Sequence, residues 1–177
     1  MAFPIDHLPG QWRPVVEAAE RCVHANPAIG LERDFGGRVL ALWGLAFKAN
    51  TDDMREAASL EIIRELTAAG MAVKAFDPVA GSRARSLIGD HPRVQICESQ
   101  YEPLEGADAL AIVTDWNQFR NPDFGRVRRL LSAPIIFDGR NLYDPDAVAG
   151  MGFAYFSIGR APARPALGAG IRPGKSL

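Results

Sequence analysis

From Gly37 to Arg160 two hydrophobic patterns alternate along the chain. Short apolar runs bounded by turn residues read as strands, and segments with apolar residues every three or four positions read as helices. The first kind occurs at Arg38–Trp43 (RVLALW), Ala72–Phe76 (AVKAF), Val94–Cys97 (VQIC), Ala109–Asp115 (ALAIVTD), Pro134–Gly139 (PIIFDG) and Phe153–Gly159 (FAYFSIG). The run at Arg38 is apolar throughout, as in a strand covered on both faces. Ala109–Asp115 is the most apolar run and is expected in the middle of the sheet, with Val94–Cys97 at an edge. The second kind predicts helices over Ser59–Ala69, Ser82–Ile88, Asp123–Leu131 and Asp144–Ala149, with one or two turns at Tyr101–Ala107. In the first helix Leu60, Ile63 and Leu66 share an apolar face and Glu61, Arg64 and Glu65 a polar one, and Gly70 closes it. In the third, Val127, Leu130 and Leu131 point inward and Arg126, Arg128 and Arg129 outward.

Strands that alternate with helices predict a doubly wound, mostly parallel α/β sheet with helices on both faces, a Rossmann-like arrangement. Ligands of such sheets bind beyond the carboxyl ends of the strands. That rule selects the loops Gly44–Arg55, Asp77–Pro78, Thr114–Asn117 and Asp138–Tyr143. The flanks differ. Residues 1–35 contain one helical pattern, Val15–His24 between Pro14 and Pro27, and residues 36–160 form the domain. Residues 161–177 (APARPALGAGIRPGKSL) are rich in Pro, Gly and Ala and are expected to be disordered for want of apolar surface.

Composition changes this picture little. The chain has 177 residues, a formal net charge of -1, 47% hydrophobic and 23% charged residues, the profile of a globular domain. No overall field favours nucleic acid or an anionic membrane. No apolar run approaches the roughly 18–20 residues of a membrane span, and the N-terminus lacks the basic and apolar regions of a signal peptide. A cytoplasmic location is expected. Cys22 and Cys97 form no C-x-x-C pair, and His7, His24 and His91 show no metal-ligand spacing, so both cysteines read as small hydrophobes and no metal is expected.

The loop GLAFKANTDDMRE carries the richest chemistry. Gly44 permits a sharp turn off the strand. Lys48 suits a phosphate oxygen, Arg55 a second phosphate held in bidentate fashion, and Phe47 a base or sugar ring. Asn50, Thr51, Asp52 and Asp53 are cap and turn residues. The same residues also read as a capped loop with solvated ion pairs. Neither G-x-G-x-x-G nor G-x-x-x-x-G-K-[ST] is present, so this is no ordinary dinucleotide or P-loop site. In FDGRNLYDP, Arg140 projects at the same sheet edge. It reads as the second cation of an anion clamp or as a partner of Asp138 or Asp144. Trp116, in VTDWNQF, is a stacking face or a lid over the core. Asp77 is a ribose-binding acid or, more simply, a turn residue before Pro78. No Ser or Cys sits on a glycine elbow, and the residues alone offer no catalytic set.

These motifs resemble a known family. GLAFKANTDDMREAASLEIIRELTAAGMAVKAFDP, EGADALAIVTDWNQFRNPDF, FDGRNLYDP and FAYFSIGR are similar, in order and spacing, to the C-terminal, UDP-binding domain of UDP-glucose dehydrogenases and the wider group that oxidises nucleotide sugars. The resemblance implies a UDP-sugar ligand and the family's two-step, NAD-dependent oxidation of a sugar C6 alcohol to a carboxylate, UDP-glucose to UDP-glucuronate. It implies that Phe47 and Lys48 hold the uridine and its diphosphate, that Arg140 contacts the uridine end, and that Arg55 reaches toward the NAD side. Gly44, Asn50, Thr51, Asp52 and Asp53 then shape the loop. Ala49 stands where the family commonly has proline. The family's NAD-binding fingerprint, its G-x-C-F-P-K-like nucleophile loop and the assisting lysine and aspartate have no counterpart here. The chain is therefore expected to be a C-terminal portion that does not oxidise UDP-glucose alone. It either works with a separate NAD-binding chain or in a homo-oligomer, serves as a stand-alone nucleotide-sugar-binding or regulatory module, or is a non-functional remnant.

Overall fold

The computed structural model describes residues 36–165. The helix expected at Val15–His24, Cys22 and residues 166–177 lie outside them. Six strands, β1 (Val39–Trp43), β2 (Ala72–Phe76), β3 (Val94–Ile96), β4 (Ala109–Ile112), β5 (Ile135–Asp138) and β6 (Ala154–Ser157), form one sheet. Their order is β3-β2-β1-β4-β5-β6 and every pairing is parallel. Four α-helices connect them: α1 (Ala58–Ala68), α2 (Gly81–Ile88), α3 (Phe124–Leu130) and α4 (Pro145–Gly150). Short 3-10 turns occupy Glu102–Leu104 and Asn117–Phe119. This is the doubly wound sheet the alternation predicts, with Val94–Ile96 at one edge and the apolar Ala109–Ile112 beside β1 at the centre.

Alternation along each strand sends side chains into two cores. Leu40 and Leu42 pack with Ile62, Ile63 and Leu66 of α1, Val73 and Ala75 of β2, and Ala84 of α2. Ala41 and Trp43 face the other way, with Leu104, Ile112, Phe119, Val127 of α3 and Val148 of α4. Trp43 is fully buried, stacks on Phe119 at 5.1 Å between centroids, and donates its indole N–H to the Gln100 carbonyl at 2.7 Å. Burying each such large side chain contributes about 1.5–3 kcal/mol.

Three details depart from the sequence pattern. The buried stripe of α1 is Ser59, Ile62, Ile63 and Leu66, joined by Glu65, while Leu60 is only half-buried. A pattern reader passes over Ser59 because it is polar, yet its hydroxyl donates to the Leu45 carbonyl. Glu65, expected on the polar face, lies at the stripe's margin and pairs with Arg64. The turn at Asn117–Phe119 was hidden inside an apparent loop and serves to bury Phe119. The tail expected from Ala161 onward carries a backbone pairing in its first residues: Ala163 and Tyr155 of β6 exchange N–H···O bonds of 3.0 and 2.8 Å.

Candidate functional site

The chain runs outward from β1 toward β2 and β3, and from β4 toward β5 and β6. The connections after β1 and β4 therefore leave on opposite faces and open a crevice at the carboxyl edge. Gly44 seals its floor. Its φ is +94°, and a Cβ there would lie 2.5 Å from the Thr114 Cβ. Its N–H donates to the Phe76 carbonyl at 2.8 Å, and the Thr114 hydroxyl donates to the Ala46 carbonyl at 2.6 Å. No side chain fits between the two strands at this point.

Asp77, at the end of β2, fixes the neighbouring turns. It is buried, and its carboxylate accepts from five N–H groups: Leu45 at 2.7 Å, Ala46 at 3.1 Å, Val79 at 2.9 Å, Ala80 at 2.8 Å and the Trp116 indole at 3.1 Å. A carboxylate has about four lone-pair positions, so Asp77 has none to spare for a ribose. Trp116 is likewise committed, buried at 7% exposure in the second core. It is a lid on the core and not a stacking face.

Above this floor the β1–α1 loop folds on itself. Phe47 N–H donates to the Asp53 carbonyl at 2.8 Å, and Asn50 takes φ +62° to turn the chain. The Thr51 hydroxyl accepts from Asp53 N–H at 3.0 Å. Asp53 then grips Arg55 three times: its Oδ1 accepts from Arg55 N–H (3.0 Å) and Nε (2.9 Å), and its Oδ2 from Nη2 (2.8 Å). Those hydrogen bonds, led by the side-chain ones, hold the Asp53 carboxyl well below the usual carboxylate range. Arg55 nonetheless remains 84% exposed along its side chain. Phe47 is 52% exposed, and Lys48 and Asp52 point into solvent. Lys48 makes no hydrogen bond or ion pair with any described residue.

The second half of the rim is the loop after β5. Asp138, fully buried, accepts from Arg140 N–H (2.9 Å) on Oδ1. Its Oδ2 accepts from Leu142 N–H (2.7 Å), Tyr143 N–H (3.3 Å) and the Tyr155 hydroxyl (2.7 Å). Burial, followed by the Asp138 charge, pushes both Tyr143 and Tyr155 phenols above their ordinary range. The Arg140 guanidinium pairs with neither Asp138 nor Asp144. Asp144 caps α4 through Ala147 N–H at 2.8 Å. Arg140 instead donates through Nη2 to Asp115 Oδ1 at 3.2 Å, and Arg120 stands 3.9 Å from the same carboxylate's Oδ2.

Thr114 and Asp115 are thus a seam: the first is tied to the Lys48 loop, the second to Arg140. Phe47, Lys48 and Arg140 lie at one carboxyl edge, on the loops of two strands that flank β4. This edge carries one exposed ring, Phe47, one cation without a described partner, Lys48, and one cation paired with Asp115, Arg140. Among the described residues the cysteine is not placed to act as a nucleophile. Cys97 is buried, and burial, reinforced by Glu102, pushes its thiol up to about 12. Among the described residues no cluster of His, Cys, Asp or Glu is placed to hold a metal ion, and no helix is long and apolar enough to cross a membrane. Sequence reasoning missed the Asp115–Arg140 pair and the depth of the two carboxylate hubs. The hubs had a signal, since both strands run into a Phe-Asp pair before a turn former, Phe76-Asp77-Pro78 and Phe137-Asp138-Gly139.

Comparison with known proteins bears on the family and the fold. The model of the UDP-binding domain of the UDP-glucose/GDP-mannose dehydrogenase family matches residues 41–145. A UDP-glucose 6-dehydrogenase of Pseudomonas aeruginosa is 47% identical over 130 residues, 70% of this chain and 28% of that protein. One of Bacillus subtilis is 40% identical over 128 residues, covering 72% and 27%. Among solved structures, a UDP-glucose dehydrogenase from Pyrobaculum islandicum is 30% identical with a TM-score of 0.55, covering 70% of this chain and 26% of that one. An NDP-N-acetyl-D-galactosaminuronic acid dehydrogenase from Methanosarcina mazei is 28% identical with a TM-score of 0.62, covering 85% and 30%. The chain thus spans little more than a quarter of the length of the curated relatives it matches.

Proposed function

The chain belongs to the UDP-glucose/GDP-mannose dehydrogenase family, and we propose that its carboxyl-edge rim binds the uridine diphosphate moiety of a nucleotide sugar. Lys48 and Arg140 grip the diphosphate and Phe47 lies against the nucleoside, with Gly44 and the Asn50–Asp53 turn setting the loop's shape. Arg55 faces the NAD side of the complete reaction, the oxidation of UDP-glucose to UDP-glucuronate. The observation that supports this reading is the double tie across β4, Thr114 to Ala46 of the Lys48 loop and Asp115 to Arg140, which anchors both loops to the end of one strand.

The 177 residues alone bind the nucleotide without oxidising it. Among the described residues the buried Cys97 thiol supports this, because a covalent oxidation of the family's kind needs a thiolate within reach of the sugar carbon. Calorimetric titration with UDP tests the site. Lys48→Ala and Arg140→Ala should each weaken binding by about 1.5–3 kcal/mol, the worth of a charge-assisted contact. Binding unchanged in both variants would place the nucleotide elsewhere, and NAD reduction by the purified chain with UDP-glucose would refute its inactivity.

A further inference from the structure

We infer that Asp115 is a positioning residue that presents the Arg140 guanidinium to the nucleotide diphosphate, an inference that rests on the UDP-binding reading above. Arg140 carries five N–H donors in a planar fork, and the structure spends one of them, on Nη2, in a single contact of 3.2 Å with Asp115 Oδ1. The guanidinium therefore keeps donors for a second, bidentate acceptor. Its backbone N–H is pinned separately to Asp138 at 2.9 Å. The two anchors fix the root and one corner of a side chain that otherwise has four rotatable bonds, and preorganisation of this kind lowers the ordering cost of binding.

Asp115 is held in turn. It follows Thr114, whose hydroxyl is bonded to the Ala46 carbonyl, and its other oxygen faces Arg120 at 3.9 Å. The side chains of Asp115 and Arg140 are 41% and 29% exposed, so the pair sits at the rim where a ligand can reach it and not in the core. An opposing expectation exists: a carboxylate beside a phosphate-binding arginine repels the phosphate and competes for its donors. The single-donor contact decides for positioning, since a competing carboxylate would take two donors at once, as Asp53 does with Arg55.

A double-mutant cycle on the full chain, read by calorimetric titration with UDP, tests this. Asp115→Ala should weaken binding about 5–10-fold in the wild-type background but less than about 2-fold in the Arg140→Ala background, as coupled neighbours do. Asp115→Asn, which keeps an acceptor oxygen in the same place, should restore binding to within about 3-fold of wild type. A merely structural role for Asp115 would weaken binding equally with and without Arg140. That result, or tighter binding in Asp115→Ala, overturns the inference while leaving the nucleotide site intact. Arg140→Ala that binds like wild type overturns this inference alone, whereas wild-type chain that does not bind UDP overturns the nucleotide reading and this inference with it.

Discussion

Replacing Asp77 by alanine removes the acceptor for five N–H groups at once. Val79 is 53% exposed, so its N–H regains water. Leu45, Ala46, Ala80 and Trp116 are each at most 7% exposed, and their donors are stranded. An unpaired buried donor costs about 1–3 kcal/mol. Four of them do not add, because water entering the space left by the carboxylate can rescue some, and a loss of about 4 kcal/mol is expected. That is a large share of the ~5–15 kcal/mol that stabilises an ordinary domain. Asp77→Asn keeps one acceptor oxygen but turns an NH2 group toward the remaining donors, and should cost about 2–3 kcal/mol. Urea unfolding followed by tryptophan fluorescence reads both variants, since Trp43 and Trp116 are buried in the core beside the lesion. With a slope of about 1–3 kcal/mol/M the alanine midpoint should fall by at least ~1 M. A loss below about 1 kcal/mol in the alanine variant would show that the carboxylate is not the hub its geometry describes.

Gly44→Ala should cost about 2–4 kcal/mol by the same assay, combining a left-handed φ with overpacking against Thr114; a loss under ~1 kcal/mol would mean the two strands can part. Cys97 should resist thiol reagents at pH 8 in the folded chain and react promptly in denaturant, because its thiol is buried and pushed up to about 12; rapid native labelling would contradict its burial. Its raised pKa also sets a sign for stability. Above pH ~9 the unfolded thiol loses its proton while the folded one keeps it, so stability should fall as pH rises from about 9 toward 12. The buried Tyr143 and Tyr155 phenols act in the same direction, and a midpoint that rose over this range would count against all three assignments.

The fold was largely legible in the sequence because its signals are local. The apolar runs at Val39–Trp43 and Ala109–Ile112 lack a polar face, which only a central strand tolerates, and Gly70 and Gly89 punctuate the helices they follow. The departures came where a polar residue is buried with a partner distant in sequence. Ser59 finds Leu45 14 positions away, and Asp77 finds Trp116 39 positions away. No periodicity reports such pairings. The residue types of the rim were legible, and Lys48 and Arg140 lie on the loops after β1 and β5. Which carboxylate Arg140 chooses was not, because Asp138 and Asp144 are nearer in sequence and Asp115 is brought close only by the pairing of β4 with β5.

A structure of the chain with UDP bound tests the central claim most directly. The account predicts diphosphate oxygens at hydrogen-bonding distance, about 2.7–3.2 Å, from both the Lys48 ammonium and the Arg140 guanidinium, with the base against Phe47 and Asp115 still touching Arg140. A diphosphate seated on any other part of the sheet edge, with those two side chains left in solvent, would contradict it.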